Sequence, residues 1–191
     1  NYVFDPNVYL KRFFGDGVKG DYLFLIDEAH NLVDRGRNMY SAVLCKEDFL
    51  EVKKAVKEHS RKLERILEKC NKVLLEYKRE CQDEYRVMEN IGALALQLMN
   101  LLGEMENFLE REQEEKVRST VLEFSFAVRH FLNMYDLVDE NYVIYTHHGA
   151  EGRFYLTLFC VNPKVNLQEC LNKGRGSVFF SATLLPMGYY R

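Results

Sequence analysis

Residues 22–30 read YLFLIDEAH, an apolar run that ends in two consecutive carboxylates and, two residues later, a histidine. Such a run is typical of a buried strand. A buried strand that ends in paired carboxylates is how nucleotide-hydrolysing motors hold magnesium and a water molecule. Asp27 would bind Mg²⁺ directly or through water, and Glu28 would orient and deprotonate the attacking water. Successive side chains diverge at the end of a strand, which lets the two carboxylates face different targets.

A second apolar stretch, residues 177–180, runs directly into Ser181-Ala182-Thr183 near the other end of the chain. It predicts another strand, whose tip carries small hydroxyl residues. His30 would then lie where it can relay the state of the phosphate site to Ser181 or Thr183 by hydrogen bonding. The sequence therefore predicts an α/β core with strands from both ends of the chain, interrupted by a long insertion.

Residues 27–30 also have a simpler interpretation, a strand-to-helix turn whose acids only cap the following helix. A zinc protease is excluded because the His-Glu-x-x-His order is absent. No Gly-x-x-x-x-Gly-Lys-Ser/Thr phosphate loop occurs, since the glycine-rich stretches 15–20 and 174–177 lack the Lys-Ser/Thr ending. We therefore expect the chain to be a piece of a larger enzyme and to hydrolyse no ATP alone.

The residues between the two predicted strands have the pattern of helices. No proline occurs between Pro6 and Pro163, which permits long helices. Apolar residues at helical period predict three helical stretches, of which the first is one long helix or two in series. The third is apolar around most of its circumference, which predicts the buried centre of the insertion. Their approximate bounds are 46–88, 91–109 and 117–137.

The pattern changes to that of strands after the third helical stretch. Residues 142–146 and 154–161 are rich in β-branched and aromatic side chains and predict a hairpin or a pair of returning strands. We therefore divide the chain into two core segments, 1–44 with the paired carboxylates and 139–191 with Ser-Ala-Thr, and an all-helical insertion at 45–138.

Basic residues recur on one side of the first helical stretch. Residues 53–72 carry eight basic and three acidic side chains. Such a stripe would contact the phosphates of single-stranded DNA. The alternative is a solvated helix face with pairs such as Glu58–Lys62 and Glu68–Lys72. We call the following six residues the basic stripe: Lys54, Lys57, Arg61, Arg65, Lys69 and Lys72.

The segment from Glu104 to Glu115, which we call the acidic segment, holds six glutamates and one arginine. Because it would repel DNA, we expect it to face solvent or a protein partner. The formal net charge of the whole chain is −3 at pH 7. Any contact with DNA must therefore come from a local patch such as the basic stripe.

The chain has 191 residues, of which 47% are hydrophobic, as in folded globular domains. No apolar run reaches membrane-spanning length, so we expect no membrane contact. The cysteines form no Cys-x-x-Cys pair, which is a cytosolic pattern rather than a disulfide framework or a zinc site. An iron–sulfur cluster needs four thiolates, and Cys70 and Cys81 would supply only part of one. The five cysteines are Cys45, Cys70, Cys81, Cys160 and Cys170.

Two motifs resemble those of the XPD/DinG family of superfamily 2 DNA helicases. Asp27-Glu28-Ala29-His30-Asn31-Leu32 is similar to that family's motif II. Ser181-Ala182-Thr183-Leu184 is similar to its motif III. Further similar stretches lie before and after motif II and before motif III: 1–6, 34–37, 39–42 and 158–163. The similar stretches thus lie near both ends of the chain, on either side of the insertion.

The resemblance implies ATP-dependent unwinding or 5′-to-3′ translocation on DNA by a larger parent protein, in repair or replication. The cofactors would be ATP and Mg²⁺, and any iron–sulfur cluster would lie outside this segment. The partners would be single-stranded or forked DNA and the remaining helicase domains, in the cytoplasm and associated with the nucleoid. The insertion would be the arch, which helps to enclose the single strand.

The resemblance also assigns roles to individual residues. It assigns Asp27 to Mg²⁺ and Glu28 to the catalytic water. It assigns coupling between hydrolysis and DNA movement to four residues: His30, Ser181, Ala182 and Thr183. The alternative from another class is a non-catalytic helical module that binds protein or DNA and keeps only a degenerate motor.

Overall fold

A computed structural model describes residues 3–6, 10, 13, 15 and 20–182. The chain forms two compact units, which we call the terminal unit (Asn1–Ser41 with Cys160–Arg191) and the central unit (Ala42–Phe159). The described residues contain six α-helices and two β-sheets. The predicted mixed α/β class is therefore confirmed.

The elements follow the chain in this order: β1 (Leu23–Ile26), α1 (Leu32–Met39), β2 (Ala42–Cys45), α2 (Lys46–Val56), α3 (Arg61–Glu80), β3 (Tyr85–Met88), α4 (Gly92–Leu109), α5 (Glu115–Tyr135), β4 (Tyr142–His148), β5 (Phe154–Cys160), α6 (Lys164–Leu171) and β6 (Gly176–Phe179). Short 3₁₀ turns lie at Ala29–Asn31 and Ala150–Gly152.

The terminal unit contains a two-stranded parallel sheet. β1 and β6, the strands expected near the two ends of the chain, pair from Leu23 opposite Gly176 to Ile26 opposite Phe179. Phe24 is buried, but Leu23 and Leu25 are 65% and 68% exposed. The prediction of a buried strand is therefore wrong for one face of β1, because no second layer covers that face within the described residues.

α1 packs on the chain segment that returns from the central unit. A Cβ at Gly36 would lie only 3.0 Å from the Pro163 ring and 3.2 Å from Leu167 Cδ1. Glycine is therefore what allows this close approach of the helix to the start of α6. The tyrosine that follows α1 is anchored too, since the Tyr40 hydroxyl donates a hydrogen bond of 2.6 Å to the Phe4 carbonyl.

The central unit contains a four-stranded sheet in the order β2-β5-β4-β3. β2 pairs antiparallel with β5, from Ala42 opposite Leu158 to Cys45 opposite Tyr155. β3 pairs antiparallel with β4. The neighbouring strands β4 and β5 are joined by residues 149–153, so they form the predicted hairpin.

The helices of the central unit follow the predicted periodicity, with two in series over the first stretch. α2 and α3 are separated by a short turn, and the Ser60 hydroxyl accepts a hydrogen bond of 3.2 Å from the Leu63 amide as the N-cap of α3. The apolar stripe common to both helices is buried. Its fully buried members include Val56, Leu63, Leu67, Cys70 and Leu74.

The insertion differs from its expected structure at two points. It is not all helical, because β3 occupies Tyr85–Met88, where alternating side chains pair with β4. α5, expected to be the buried centre of the insertion, is buried only in part: Val121 and Phe131 are fully buried, whereas Phe126 is 59% exposed. The compact units also differ from the three expected segments, since β4 and β5 up to Phe159 belong with the helices of the central unit.

None of the helices in the described part of the chain is long and apolar enough to cross a membrane.

Candidate functional site

The parallel register aligns the polar tips of β1 and β6. Ile26 lies opposite Phe179, so the carboxylates after β1 lie beside the residues that follow β6. Two backbone hydrogen bonds extend the pairing past the strands, from the Phe180 amide to the Ile26 carbonyl (3.0 Å) and from the Ala29 amide to the Phe180 carbonyl (3.2 Å). The carboxyl ends of parallel strands are where open α/β sheets bind ligands.

Three of the predicted site residues meet at these tips, and we call them the Glu28–His30–Ser181 cluster. His30 Nδ1 lies 2.7 Å from Ser181 Oγ and 3.1 Å from Glu28 Oε2. The Ser181 hydroxyl also donates a hydrogen bond of 3.2 Å to Glu28 Oε2. The contact that the expected relay requires, between His30 and Ser181, is therefore present, and its role in hydrolysis stays a prediction.

A serine, a histidine and a glutamate in contact invite comparison with a hydrolase triad, but the geometry differs. In a triad the histidine uses one ring nitrogen for the serine and the other for the carboxylate. Here Ser181 Oγ and Glu28 Oε2 both lie against Nδ1 of His30. The carboxylate therefore does not orient the imidazole from its far side, and the cluster lacks the arrangement of a nucleophilic serine.

Glu28 has an unusual backbone conformation. Its φ and ψ are 52° and 42°, in the left-handed region, which only one other non-glycine residue adopts in the described chain. This conformation costs about 1 kcal/mol or more and is concentrated at functional sites. It turns the chain sharply from β1 into the 3₁₀ turn.

The capping interpretation of this turn can be compared with the observed contacts. Glu28 precedes the 3₁₀ turn and Asn31 precedes α1, and neither side chain makes a capping hydrogen bond. Asp27 Oδ1 accepts a hydrogen bond of 2.7 Å from the Glu28 amide. The Glu28 carboxylate points instead to His30 and Ser181.

Asp27 and Glu28 are exposed and line a cavity of about 310 Å³ beside β1. Arg35, from α1, lines the same cavity and adds a positive charge near the two carboxylates. A carboxylate has about four lone-pair sites, and the Glu28 amide takes only one of those of Asp27. Oxygen donors of this kind suit Mg²⁺, and a cation beside them suits phosphate.

Mg²⁺ is usually bound by one or two carboxylates, with water and phosphate oxygens as its other ligands. Asp27 fits that pattern. In the portion of the chain that the structure describes, no group of three or more His, Cys, Asp or Glu side chains could hold a metal ion by itself.

Cys70 is buried away from solvent, which raises the pKa of its thiol to about 12.

The other residues expected to couple hydrolysis to movement are less informative. Ala182 is exposed and follows Ser181 directly. Thr183 lies outside the described residues. No sequence pattern assigns a role to Arg35, although it is eight residues after Asp27. Its place in the cavity depends on how α1 packs, which no local pattern reveals.

All six residues of the basic stripe are exposed. Arg61, Arg65, Lys69 and Lys72 recur along α3 over about 16 Å, since each helical residue adds about 1.5 Å. None of the six forms an ion pair with another described residue. The stripe is therefore available to an anionic partner.

The intrahelical pairs of the alternative interpretation are replaced by contacts between helices. Lys62 pairs with Glu104 instead of Glu58. Glu68 pairs with Lys53 at 2.5 Å instead of with Lys72. The hydrogen bond from Lys53 above all lowers the pKa of Glu68, and Lys72 adds to the effect through its charge alone.

The acidic segment is partly neutralised by its own unit. Glu104 contacts Lys62, Glu106 contacts Arg129, and His59 lies 2.9 Å from Glu112 and 3.5 Å from Glu114. Hydrogen bonds from the backbone amides of Glu114 and Gln113, with a further contribution from His59, lower the pKa of Glu112. The segment expected to face solvent or a partner protein therefore finds much of its counter-charge within the chain.

A comparison with protein-family models finds no match for this sequence, and a comparison with curated proteins finds none either.

Proposed function

We propose that this chain is part of an ATP-dependent DNA helicase of the XPD/DinG type. The observation that carries the proposal is the Glu28–His30–Ser181 cluster, which joins residues 151 positions apart at the carboxyl ends of two parallel strands. Motifs II and III must meet in this way if hydrolysis is to be coupled to movement. The resemblance adds 5′-to-3′ polarity and a role in repair or replication.

The residues of the site have separate tasks in this proposal. Asp27 would hold Mg²⁺, which would supply positive charge to the phosphates of ATP. Glu28 orients a water molecule and takes its proton. Ser181 donates to the same Glu28 oxygen that faces His30, so a displacement of the β6 tip reorients the base. The cluster is thus the physical link between motif III and hydrolysis.

The basic stripe supports the second part of the proposal, that the central unit contacts single-stranded DNA as the arch would. Its six side chains are exposed, and four of them follow one face of α3. Phosphates along a single strand would meet the stripe in a sequence-independent way. A non-catalytic DNA-binding module would use the same stripe, and it is our second candidate function.

DNA-stimulated ATP hydrolysis by the full-length protein that contains this chain separates the two functions. Glu28→Gln keeps the shape of the side chain and removes the base, so turnover should fall by about 100-fold or more while ATP binding remains. The matched control is Glu151→Gln, because Glu151 is the other left-handed glutamate and lies outside the cluster. Equal rates in wild type and Glu28→Gln would leave only the binding module.

The 191 residues by themselves should bind single-stranded DNA weakly and with a steep dependence on salt. Reversing Arg61 and Arg65 to glutamate should make the slope of log K against log salt shallower by about 0.7 for every phosphate that the variant no longer binds. The control reverses Lys116 and Arg118, two exposed basic residues of α5. Unchanged anisotropy titrations for the stripe variant would remove DNA from the proposal.

The same 191 residues should not hydrolyse ATP, because their sequence contains no phosphate-loop motif. The measurement is phosphate release with and without DNA. Robust turnover that disappears in Glu28→Gln would show that other residues of this chain hold the phosphates.

A further inference from the structure

The helix that follows motif II ends close to the point where the chain leaves the terminal unit. α1 begins at Leu32, two residues after His30, and ends at Met39. Ser41 is the last residue before the chain enters the central unit, and Cys160 is the first residue of the terminal unit after the return. A single short helix therefore connects the candidate site to this exit.

Side chains of α1 and of Ser41 hold the returning chain at the same place. The Cys160 amide donates a hydrogen bond of 2.9 Å to Ser41 Oγ. The Ser41 hydroxyl donates one of 2.6 Å to the Arg37 carbonyl. Arg37 Nε donates one of 3.0 Å to the Val161 carbonyl. We call Arg37, Ser41, Cys160 and Val161 the root clamp, because they lie where the chain leaves the terminal unit for the central unit and where it returns.

The root clamp is more than a continuation of the sheet. The ladder between β2 and β5 ends at Ala42 and Leu158, so the Cys160 amide takes a side-chain oxygen as its acceptor. Asp34, one turn before Arg37, contacts the guanidinium at 3.0 Å and helps to orient it. Both members of that ion pair belong to α1, so the guanidinium is fixed by the helix itself.

Packing reinforces the hydrogen bonds. Gly36 is the residue before Arg37, and because it has no side chain, α1 lies in contact with Pro163 and Leu167 there. The returning segment therefore meets α1 at two adjacent residues, through the guanidinium of Arg37 and through the backbone at Gly36. A displacement of the first turn of α1 would be passed to the outgoing and the returning chain together.

We propose that Arg37 and Ser41 are positioning residues that transmit changes at motif II to both chain segments at the root of the central unit. This inference rests on the proposed function, since the change to be transmitted is the response of Glu28 and His30 to ATP. With the root clamp intact, the outgoing chain at Ser41 and the returning chain at Cys160 move together when α1 moves. Without it, only the covalent path through Ser41 responds, and the central unit follows the ATP cycle poorly.

The test uses the full-length protein and measures basal ATP hydrolysis, its stimulation by single-stranded DNA and the DNA unwound per ATP. Ser41→Ala and Arg37→Gln should keep basal turnover and the KM for ATP. DNA stimulation and unwinding per ATP should fall by about fivefold or more, the lower end of typical coupling between sites. Ser41→Thr, which keeps the hydroxyl, should restore both.

Asp34→Asn is the matched control for Arg37, because it removes the charge of the ion pair, keeps an oxygen acceptor for the guanidinium and leaves the bond from Arg37 to Val161. It should behave as wild type. A second measurement needs no activity: amide hydrogen exchange in the 191-residue chain should become faster at Cys160 in Ser41→Ala and stay unchanged in Ser41→Thr. The amides of β4 serve as the internal reference.

The outcomes separate this inference from the proposed function. Loss of turnover in Glu28→Gln together with normal DNA stimulation in Ser41→Ala would overturn the root clamp and leave the helicase proposal standing. Basal turnover that falls as far as unwinding would also overturn it, since that marks a merely structural role. Unchanged turnover in Glu28→Gln would instead remove the proposed function itself.

Discussion

The two sheets of this protein treat their apolar side chains differently. In the four-stranded antiparallel sheet of the central unit, Leu156 and Leu158 are fully buried. In the parallel pair of the terminal unit, Leu23 and Leu25 are mostly exposed. Parallel sheets are ordinarily covered on both faces, whereas antiparallel sheets can leave one face to solvent. The comparison indicates that the central unit contains its own core and that one face of β1 has no covering layer among the described residues.

The central sheet has one open face, as an antiparallel sheet can. Tyr85 and Val87 of β3 are exposed there. Next to them the rings of Tyr145, His147 and Tyr155 form a row, with centroid distances of 5.5 Å and 5.1 Å. Contacts between neighbouring strands thus shield part of the open face. Two strands alone have too few neighbours for such shielding.

The largest effect is expected in the core of the central unit. Phe49 is fully buried and its ring meets that of Phe124 edge to face, with centroids 4.8 Å apart. Phe49→Ala should lower the free energy of unfolding by about 3–5 kcal/mol. Urea unfolding followed by circular dichroism measures the loss.

Phe126→Ala is the control for this substitution, because Phe126 lies on the same helix as Phe124 and is largely exposed. Its cost should stay within about 1 kcal/mol. Similar losses for the two phenylalanines would mean that the core of the central unit does not lie where the structure places it.

A smaller effect is expected at Glu47, which joins three elements of the central unit. Its Oε2 accepts a hydrogen bond of 2.8 Å from the Phe154 amide, and its Oε1 lies 3.3 Å from Lys78 Nζ. Burial acts to raise the pKa of Glu47, but these hydrogen bonds and the charge of Lys78 outweigh it, so the pKa is lowered. Glu47→Gln should cost about 1–3 kcal/mol at neutral pH.

The lowered pKa fixes the pH dependence of that effect. A carboxyl group whose pKa is lower in the folded than in the unfolded state stabilises the fold above the unfolded value of about 4.5. This contribution is lost as the pH falls from there through the folded value. The difference between wild type and Glu47→Gln should therefore shrink below about pH 4. The exposed pair of Glu51 and Arg153 provides the control, since Glu51→Gln should change little at either pH.

Much of the fold can be predicted from this sequence because its signals are local. The helical period of α2 to α5 predicts helices, and the apolar runs of β1 and β6 predict strands, without reference to any distant residue. The proximity of His30 and Ser181 was also predictable, since both follow strands and parallel strands present their ends at one edge.

The features that were missed depend on distant partners. Tyr85–Met88 continues a helical stretch in the sequence, and only its pairing with β4 makes it a strand. Lys62 has a suitable glutamate one turn away at Glu58, yet it pairs with Glu104 of another helix. The apolar pattern of β1 is the same whether or not a layer covers it. Exposure of Leu25 therefore could not be predicted.

The smallest effect is expected at Leu25, and it tests the comparison most directly. In the 191-residue chain Leu25→Ala should change the free energy of unfolding by less than about 0.5 kcal/mol, since the side chain is already exposed. In the full-length helicase that we propose, a covering layer would raise the cost to about 2 kcal/mol or more. The matched control is Phe24→Ala, which removes a buried side chain of the same strand and should be costly in both proteins. If Leu25→Ala were as costly as Phe24→Ala in the 191 residues alone, the face of β1 would already be covered, and the contrast between the two sheets would lose its basis.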